Sequence, residues 1–378
     1  MIDISKRINP TRFVSRNGVW ELPWEQEVIP GFEMPEYDPN FNKSFAEVSD
    51  ARAIEVRARI NNGEKFAVMF SGGIDSTTVM CALIRNLSTE ELKSVIVCAS
   101  AETILENPVF WSKFIVDKFK VRNSAITKYH DLIEDGYVPI TADEGDCIFG
   151  TVFGLQMYAN YDYYVSGLSH DSQTHLSNIK HHISTGDVHY SEYKDVIIRH
   201  LQIASNPDFG KFMYEKMDHN IKTSTVPIHS LHDFFWWEIF NIKYLNCAVR
   251  GALFYNDRIE WRKCMDTILN WYSGIDYQRW SMVNNNNGQK IQSTHSSYKT
   301  VAKEYIWTVD RNDWYKNFKI KIDSMNHITS IQNVDDVHES KRPVRRLGLT
   351  GDYEMMYIDD PKVSGFFREK FASYKRGW

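Results

Sequence analysis

The segment FAVMFSGGIDSTTVM, residues 66–80, restricts the folds open to this chain more than any other stretch. An apolar run stops in one serine and two glycines and passes through one aspartate. It resumes with Val79, Met80, Leu83, Ile84 and Leu87 at helical spacing. A strand that runs into glycines at a helix start leaves several backbone N–H groups pointing outward, and two glycines let a bulky anion approach the main chain. Residues 71–76 therefore read as a phosphate cradle, with Ser71 and Ser76 adding hydroxyl donors beside Gly72 and Gly73. Asp75 conflicts with that reading unless a cation lies between it and the phosphates, and a bridging Mg²⁺ removes the conflict. The Walker alternative needs a lysine in G-x-x-x-x-G-K-[ST], and no such string occurs.

The flanking sequence repeats the alternation of strand and helix. Asp50 is expected to cap a helix through about Asn62, ended by Gly63, and KFAVMF (65–70) reads as a short buried strand. Ser88 with Glu91 forms a capping-box pattern, SVIVCAS (94–100) is a second buried strand, and Pro108 opens a helix to about Phe119. VRNSAIT (121–127) reads as a third strand. This alternation predicts an α/β fold, a parallel sheet with helices on both faces. In such sheets ligands bind at the carboxyl ends of strands, where residues 71–76 and 141–146 fall. From about 155 to 270 the pattern is mainly helical, and LHDFFWWEIFNIKYL (231–245) is a strongly apolar helix whose aromatics read as core. MVNNNNGQK (282–290) is a loop by composition, and residues 1–49 read as an extended arm laid over the main body, with disorder as the alternative.

Composition excludes several classes. With 378 residues, 43% of them hydrophobic, the chain has room for about two domains. No stretch reaches the roughly 18 apolar residues of a membrane span, and MIDISKRINPTRF lacks the apolar core of a secretory signal, so a cytoplasmic protein is expected. The five cysteines are scattered and never form C-x-x-C, which argues against a disulfide framework, a zinc ribbon or an iron–sulfur cluster. A net charge of -5 offers no global field for nucleic acid, although SKRPVRR (340–346) is a local basic cluster. Histidines gather between His170 and His200, but no acid or cysteine stands at a familiar metal-ligand spacing.

SGGIDS, between a buried strand and a helix, resembles the S-G-G-x-D-S loop of the N-type ATP pyrophosphatases. These enzymes cleave ATP between its α- and β-phosphates, transfer AMP to an acceptor oxygen and release pyrophosphate. YVPITADEGDCIFGT (137–151) resembles the S-G-E-G-x-D-E-[LI]-F-G segment of the asparagine synthetase branch, placing Asp146 on the motif aspartate and Phe149-Gly150 on its F-G. The resemblance implies an adenine nucleotide α-hydrolase-like fold and makes Asp75 and Asp146 the metal pair. The family's proton-handling glutamate falls on Asp143, the glycine before it on Ala142 and the following acid on Cys147, so Asp143 or its neighbour Glu144 takes that role, or the acceptor chemistry differs. YYVSGLSHDS (163–172) is a rival register, with Leu168 and Asp171 at the two acid positions.

More loosely, GIDYQRWSM (274–282), SSYKTVAKEYIWTV (296–309) and WYKNFKIKIDSM (314–325) resemble the family's carboxy-terminal region, in which a lysine contacts pyrophosphate. Lys299 and Lys303 are expected one turn apart on a helix, opposite Ala302, Tyr305 and Ile306. In FKIKI, strand alternation sends Lys319 and Lys321 to one face, and these two are the candidates for stabilising the leaving pyrophosphate. The resemblance spans roughly residues 50–325, with a nucleotide-binding core over 50–155 and a mainly helical part over 156–325. It leaves out the arm (1–49) and an extension (326–378). Position 2 is Ile2 rather than the cysteine nucleophile of a glutaminase, so free ammonia, an amine on a substrate or a partner protein is expected to supply nitrogen. The implied activity is an ATP- and Mg²⁺-dependent ligase that adenylates a small-molecule carboxylate and forms an amide as AMP leaves. Two alternatives stay open: adenylation of a nucleobase carbonyl, and nucleotide binding without turnover.

Overall fold

The computed structural model describes residues 16, 32–99, 103, 106–124, 127–150, 188–201, 207–254, 256, 258–284 and 299–318. They group into two compact units. One comprises Ser49–Ala142, Gly251–Trp271 and the described residues from Ala302; the other comprises Asp143–Arg250, Tyr272–Val301 and the described residues up to Val48.

The first unit holds the sheet: β1 (Lys65–Met69), β2 (Val95–Ala99), β3 (Lys120–Asn123), β4 (Tyr137–Thr141) and β5 (Leu269–Asn270). All pairings are parallel, in the order β3-β2-β1-β4-β5. Every residue of VIVCA in β2 is buried, as a strand covered on both faces requires. Ala67, Ile96 and Cys98 pack on Leu132 from the helix Tyr129–Glu134. The alternate residue Phe66 lies under the Arg59 guanidinium of α1 (Phe45–Asn61), 5.1 Å from the ring centre. Opposite faces of β1 thus carry different helices, which bears out the doubly covered parallel sheet. Pro139 is tolerated in β4 because β5 is short and pairs only with Ile140 and Thr141.

Several boundaries differ from the sequence expectation. α1 begins at Phe45, where Ser44 and Glu47 cap it reciprocally: the Ser44 N–H donates to Glu47 Oε2 (2.8 Å) and the Glu47 N–H to Ser44 Oγ (3.2 Å). Asp50 is therefore inside the helix and turns sideways, accepting from Tyr305 Oη (2.5 Å), Asn86 Nδ2 (2.7 Å) and Arg85. Burial opposes the Asp50 charge, but these donors outweigh it and hold the carboxyl below its ordinary range. The third strand stops at Asn123, because the Thr127 N–H and hydroxyl both return to the Asn123 carbonyl and close a turn. The helix from Pro108 widens into a π-turn at Trp111–Ile115, where Phe110 and Trp111 pack on Phe70. The Ser88–Glu91 capping box forms as read.

Late in the chain, Lys299 precedes the helix Thr300–Asp310 with a left-handed φ of 56° instead of lying on it, while Lys303 is buried with Ala302, Tyr305 and Ile306. Phe318 ends a second short helix, Asp313–Phe318, so the strand expected from Phe318 does not begin there. Lys319 and Lys321 lie outside the described residues, as do the rival motif at 163–172 and the 340–346 basic cluster.

The second unit is helical around an aromatic core. Phe234, Phe235, Trp236, Trp237 and Phe240 are all buried, as expected of core rather than a base-stacking platform. The apolar helix runs as Leu231–Trp237, a π-turn Glu238–Lys243 and Tyr244–Phe254. Gly150, at φ 58°, sits so close to Trp236 that a Cβ would lie 2.3 Å from its Cδ1. The Trp236 indole donates to Ser281 Oγ (3.0 Å), and Ser281 in turn donates to the Ile148 carbonyl (2.5 Å), which fastens the F-G segment into this core. Arg16 is buried with its guanidinium 3.9 Å from the centre of the Tyr244 ring.

Candidate functional site

The chain runs into the glycine loop at the carboxyl end of β1 and out of it into α2 (Ile74–Asn86). The sheet order makes this a switch point, since the chain builds β2 and β3 on one side of β1 and returns to place β4 on the other. Gly72 has a left-handed φ of 70°, and a Cβ there would lie 2.2 Å from the Thr103 carbonyl oxygen and 2.7 Å from Glu106 Cβ. Only glycine fits. Gly73 is extended (φ -70°, ψ 167°) at the N-cap of α2, and no side chain caps the helix. Gly72 is buried, whereas Gly73, Ile74 and Asp75 are half-buried, so the lip of the loop is open to solvent while its base is closed.

The two serines organise this turn. The Ser71 N–H donates to Ser76 Oγ (3.1 Å), the two hydroxyl oxygens lie 3.0 Å apart, and the Gly73 N–H reaches Ser71 Oγ at 3.3 Å. Amides in the first turn of a helix have no intrahelical acceptor, and the helix dipole adds positive potential at the same end. Asp75 lies in that first turn. Sequence reasoning located all five loop residues, Ser71, Gly72, Gly73, Asp75 and Ser76, and the structure brings them into one turn.

The second motif belongs to the other unit. Asp143 is half-buried, and Glu144 is fully enclosed at the N-cap of the short helix Gly145–Phe149. Glu144 adds to the upward push that burial exerts on the Tyr244 phenol, against which Arg16 acts. Cys147, which stands where the family has an acid, is buried beside Tyr244 and Cys247. All five cysteines are buried and unbridged, and burial pushes the Cys98 thiol up to about 12.

Sequence reasoning missed the partner of Asp146. Lys299 Nζ donates to Asp146 Oδ1 at 2.7 Å and lies 5.3 Å from the centre of the Phe149 ring. The lysine side chain is 2% exposed and that of Asp146 34%. The available signal was Lys299 itself, which the sequence pattern assigns to the helix that in the structure begins one residue later, at Thr300. Lys299→Met is expected to cost roughly 2 kcal/mol, below the ~3–5 kcal/mol of a fully enclosed pair because Asp146 keeps contact with water. Urea denaturation of the variant against the parent measures this.

Among the described residues, no group of three His, Cys, Asp or Glu side chains is placed to hold a metal. Mg²⁺ requires less, because it retains several waters and binds through one or two carboxylates plus phosphate oxygens. Asp75 and Asp146 have that donor chemistry, and Asp146 already holds a cationic group in Lys299. Of the histidines between His170 and His200, His189 and His200 are among the described residues; the His189 ring stands 5.2 Å from that of His229, and burial, with His229, holds its pKa below the ordinary value. Within the described residues no helix is long and apolar enough to cross a membrane. No protein-family model matches this chain significantly, and no curated protein or solved structure does so either.

Proposed function

We propose that this protein is an AMP-forming ligase of the N-type ATP pyrophosphatase kind, adenylating a small-molecule carboxylate and joining it to ammonia or an amine. One observation carries the reading: a glycine loop that admits no side chain at Gly72 stands at the switch point of a parallel sheet and opens a helix. Glycine turns at the start of a helix suit an anion, and the sequence of this one is what the resemblance assigns to pyrophosphate. The main-chain N–H groups of 72–75 and the hydroxyls of Ser71 and Ser76 would hold the phosphates. Mg²⁺, when bound, supplies neutralisation of phosphate charge, with Asp75 and Asp146 as the carboxylates assigned to it by the resemblance. Asp143 is the better placed of the two acids for moving a proton on the acceptor, because it is half-buried where Glu144 is fully enclosed. The roles of Lys319 and Lys321 toward the leaving pyrophosphate rest on the sequence alone.

A second reading, nucleotide binding without turnover, is favoured by the Lys299–Asp146 pair, which occupies a carboxylate that the ligase reading needs for metal. Incubation with ATP, Mg²⁺ and ammonia across a panel of carboxylic acids separates the two. AMP and pyrophosphate formed in an acid-dependent manner, and lowered about a hundredfold or more in Asp75→Asn, is the result expected of the ligase. Tight ATP binding with no cleavage supports the second reading, and release dependent on a nucleoside or nucleic acid indicates a nucleobase acceptor.

A further inference from the structure

The base of the glycine loop is fastened by a residue more than two hundred positions away. Tyr315, buried in the helix Asp313–Phe318, donates its hydroxyl to the Gly72 carbonyl at 3.2 Å, and Thr77 Oγ1 donates to the same oxygen at 3.4 Å. Burial pushes the Tyr315 phenol well above its ordinary pKa, so the group stays protonated and remains a donor. Its backbone is tied in turn: the Tyr315 N–H donates to Asn312 Oδ1 (3.0 Å), and the Asn312 N–H to Asp310 Oδ1 (2.9 Å). A trans peptide places its C=O and N–H on opposite sides, and every described peptide here is trans. Holding the Gly72 oxygen inward therefore turns the Gly73 N–H outward, to the half-buried lip, where Ser71 Oγ meets it at a long 3.3 Å.

We propose that Tyr315 is a positioning residue for the glycine loop, fixing the Gly72–Gly73 peptide in the orientation that presents the Gly73 N–H to a polyphosphate. The inference rests on the nucleotide reading above for its ligand, but the peptide orientation can be tested without one.

Tyr315→Phe removes only the hydroxyl. In nucleotide-free protein, amide hydrogen exchange over residues 71–74 is expected to quicken about fivefold, the size of one lost hydrogen bond, with the rest of the sheet unit unchanged. Affinity for ATP and for inorganic pyrophosphate, measured by calorimetry, should fall by a similar factor. Tyr305→Phe, which removes a buried hydroxyl bound to Asp50 in the same unit, is the control and should change neither readout. Thr77→Val removes the second donor to the same carbonyl and should act in the same direction, which keeps the test open if Tyr315→Phe fails to fold. Exchange over 71–74 that matches the Tyr305→Phe control in both variants overturns the inference. Wild-type protein that binds neither ATP nor pyrophosphate overturns the nucleotide reading instead, and the exchange rates still decide the role of Tyr315.

Discussion

Gly72→Ala is expected to lower stability by at least about 3 kcal/mol and to abolish nucleotide binding. Two costs add: a left-handed φ, unfavourable by ~1–2 kcal/mol for a residue with a Cβ, and overpacking, typically ~1–3 kcal/mol. The overpacking term lies at the upper end because the new methyl would meet backbone, the Thr103 carbonyl oxygen at 2.2 Å, which cannot rotate away as a side chain can. The midpoint of thermal unfolding should fall by roughly 10 °C for a unit of this size. Gly73→Ala supplies the contrast. Its backbone is in an ordinary extended conformation, and its Cβ would meet only the rotatable Ser71 hydroxyl at 3.2 Å, so stability should change by less than about 1 kcal/mol. The methyl would nevertheless stand on the lip of the loop. Weakened ATP binding with unchanged stability in Gly73→Ala, beside marked destabilisation in Gly72→Ala, is the pattern expected of an anion cradle. Normal stability in Gly72→Ala would sink the loop geometry described above.

The second large effect comes from Asp310, a residue 4% exposed at the end of the helix Thr300–Asp310. Burial pushes its pKa up to about 6, and nearby Asp313 pushes the same way; the Asn312 N–H and Lys113 only partly offset this. Its Oδ2 makes no hydrogen bond among the described residues. Because the folded protein holds this proton more tightly than the unfolded chain, the group favours folding below about pH 4, and that contribution is lost as pH rises through about 6. The loss amounts to roughly 2–3 kcal/mol by pH 8. Asp310→Asn keeps the oxygen that accepts from the Asn312 N–H and removes the charge. The variant should therefore match the parent near pH 4 and exceed it by about 2 kcal/mol at pH 8. Denaturant titrations of both proteins at the two pH values give this difference directly. Glu47, Glu64 and Glu91, whose carboxyls are held low by their own donors, lose stability in the opposite direction on acidification, but equally in both proteins.

Local sequence determined the elements whose signals are short in range. The apolar run of β1, the glycine turn and the apolar spacing of α2 are each set within a few residues by steric and hydrogen-bonding preferences. That is why residues 71–76 and the Ser88–Glu91 cap were legible. The same locality misleads at Asp50, a residue suited to capping that lies inside the helix because Ser44 and Glu47 supply the cap six residues earlier. Tertiary structure alone decided which distant segments complete the sheet unit. Leu269–Asn270 becomes its fifth strand, and Tyr315 becomes the fastening of a loop at Gly72. It decided the Lys299–Asp146 pair in the other unit as well. Such contacts arise because burying a charge or a hydroxyl demands a partner, and only the folded backbone determines which of many lysines or tyrosines arrives within hydrogen-bonding distance.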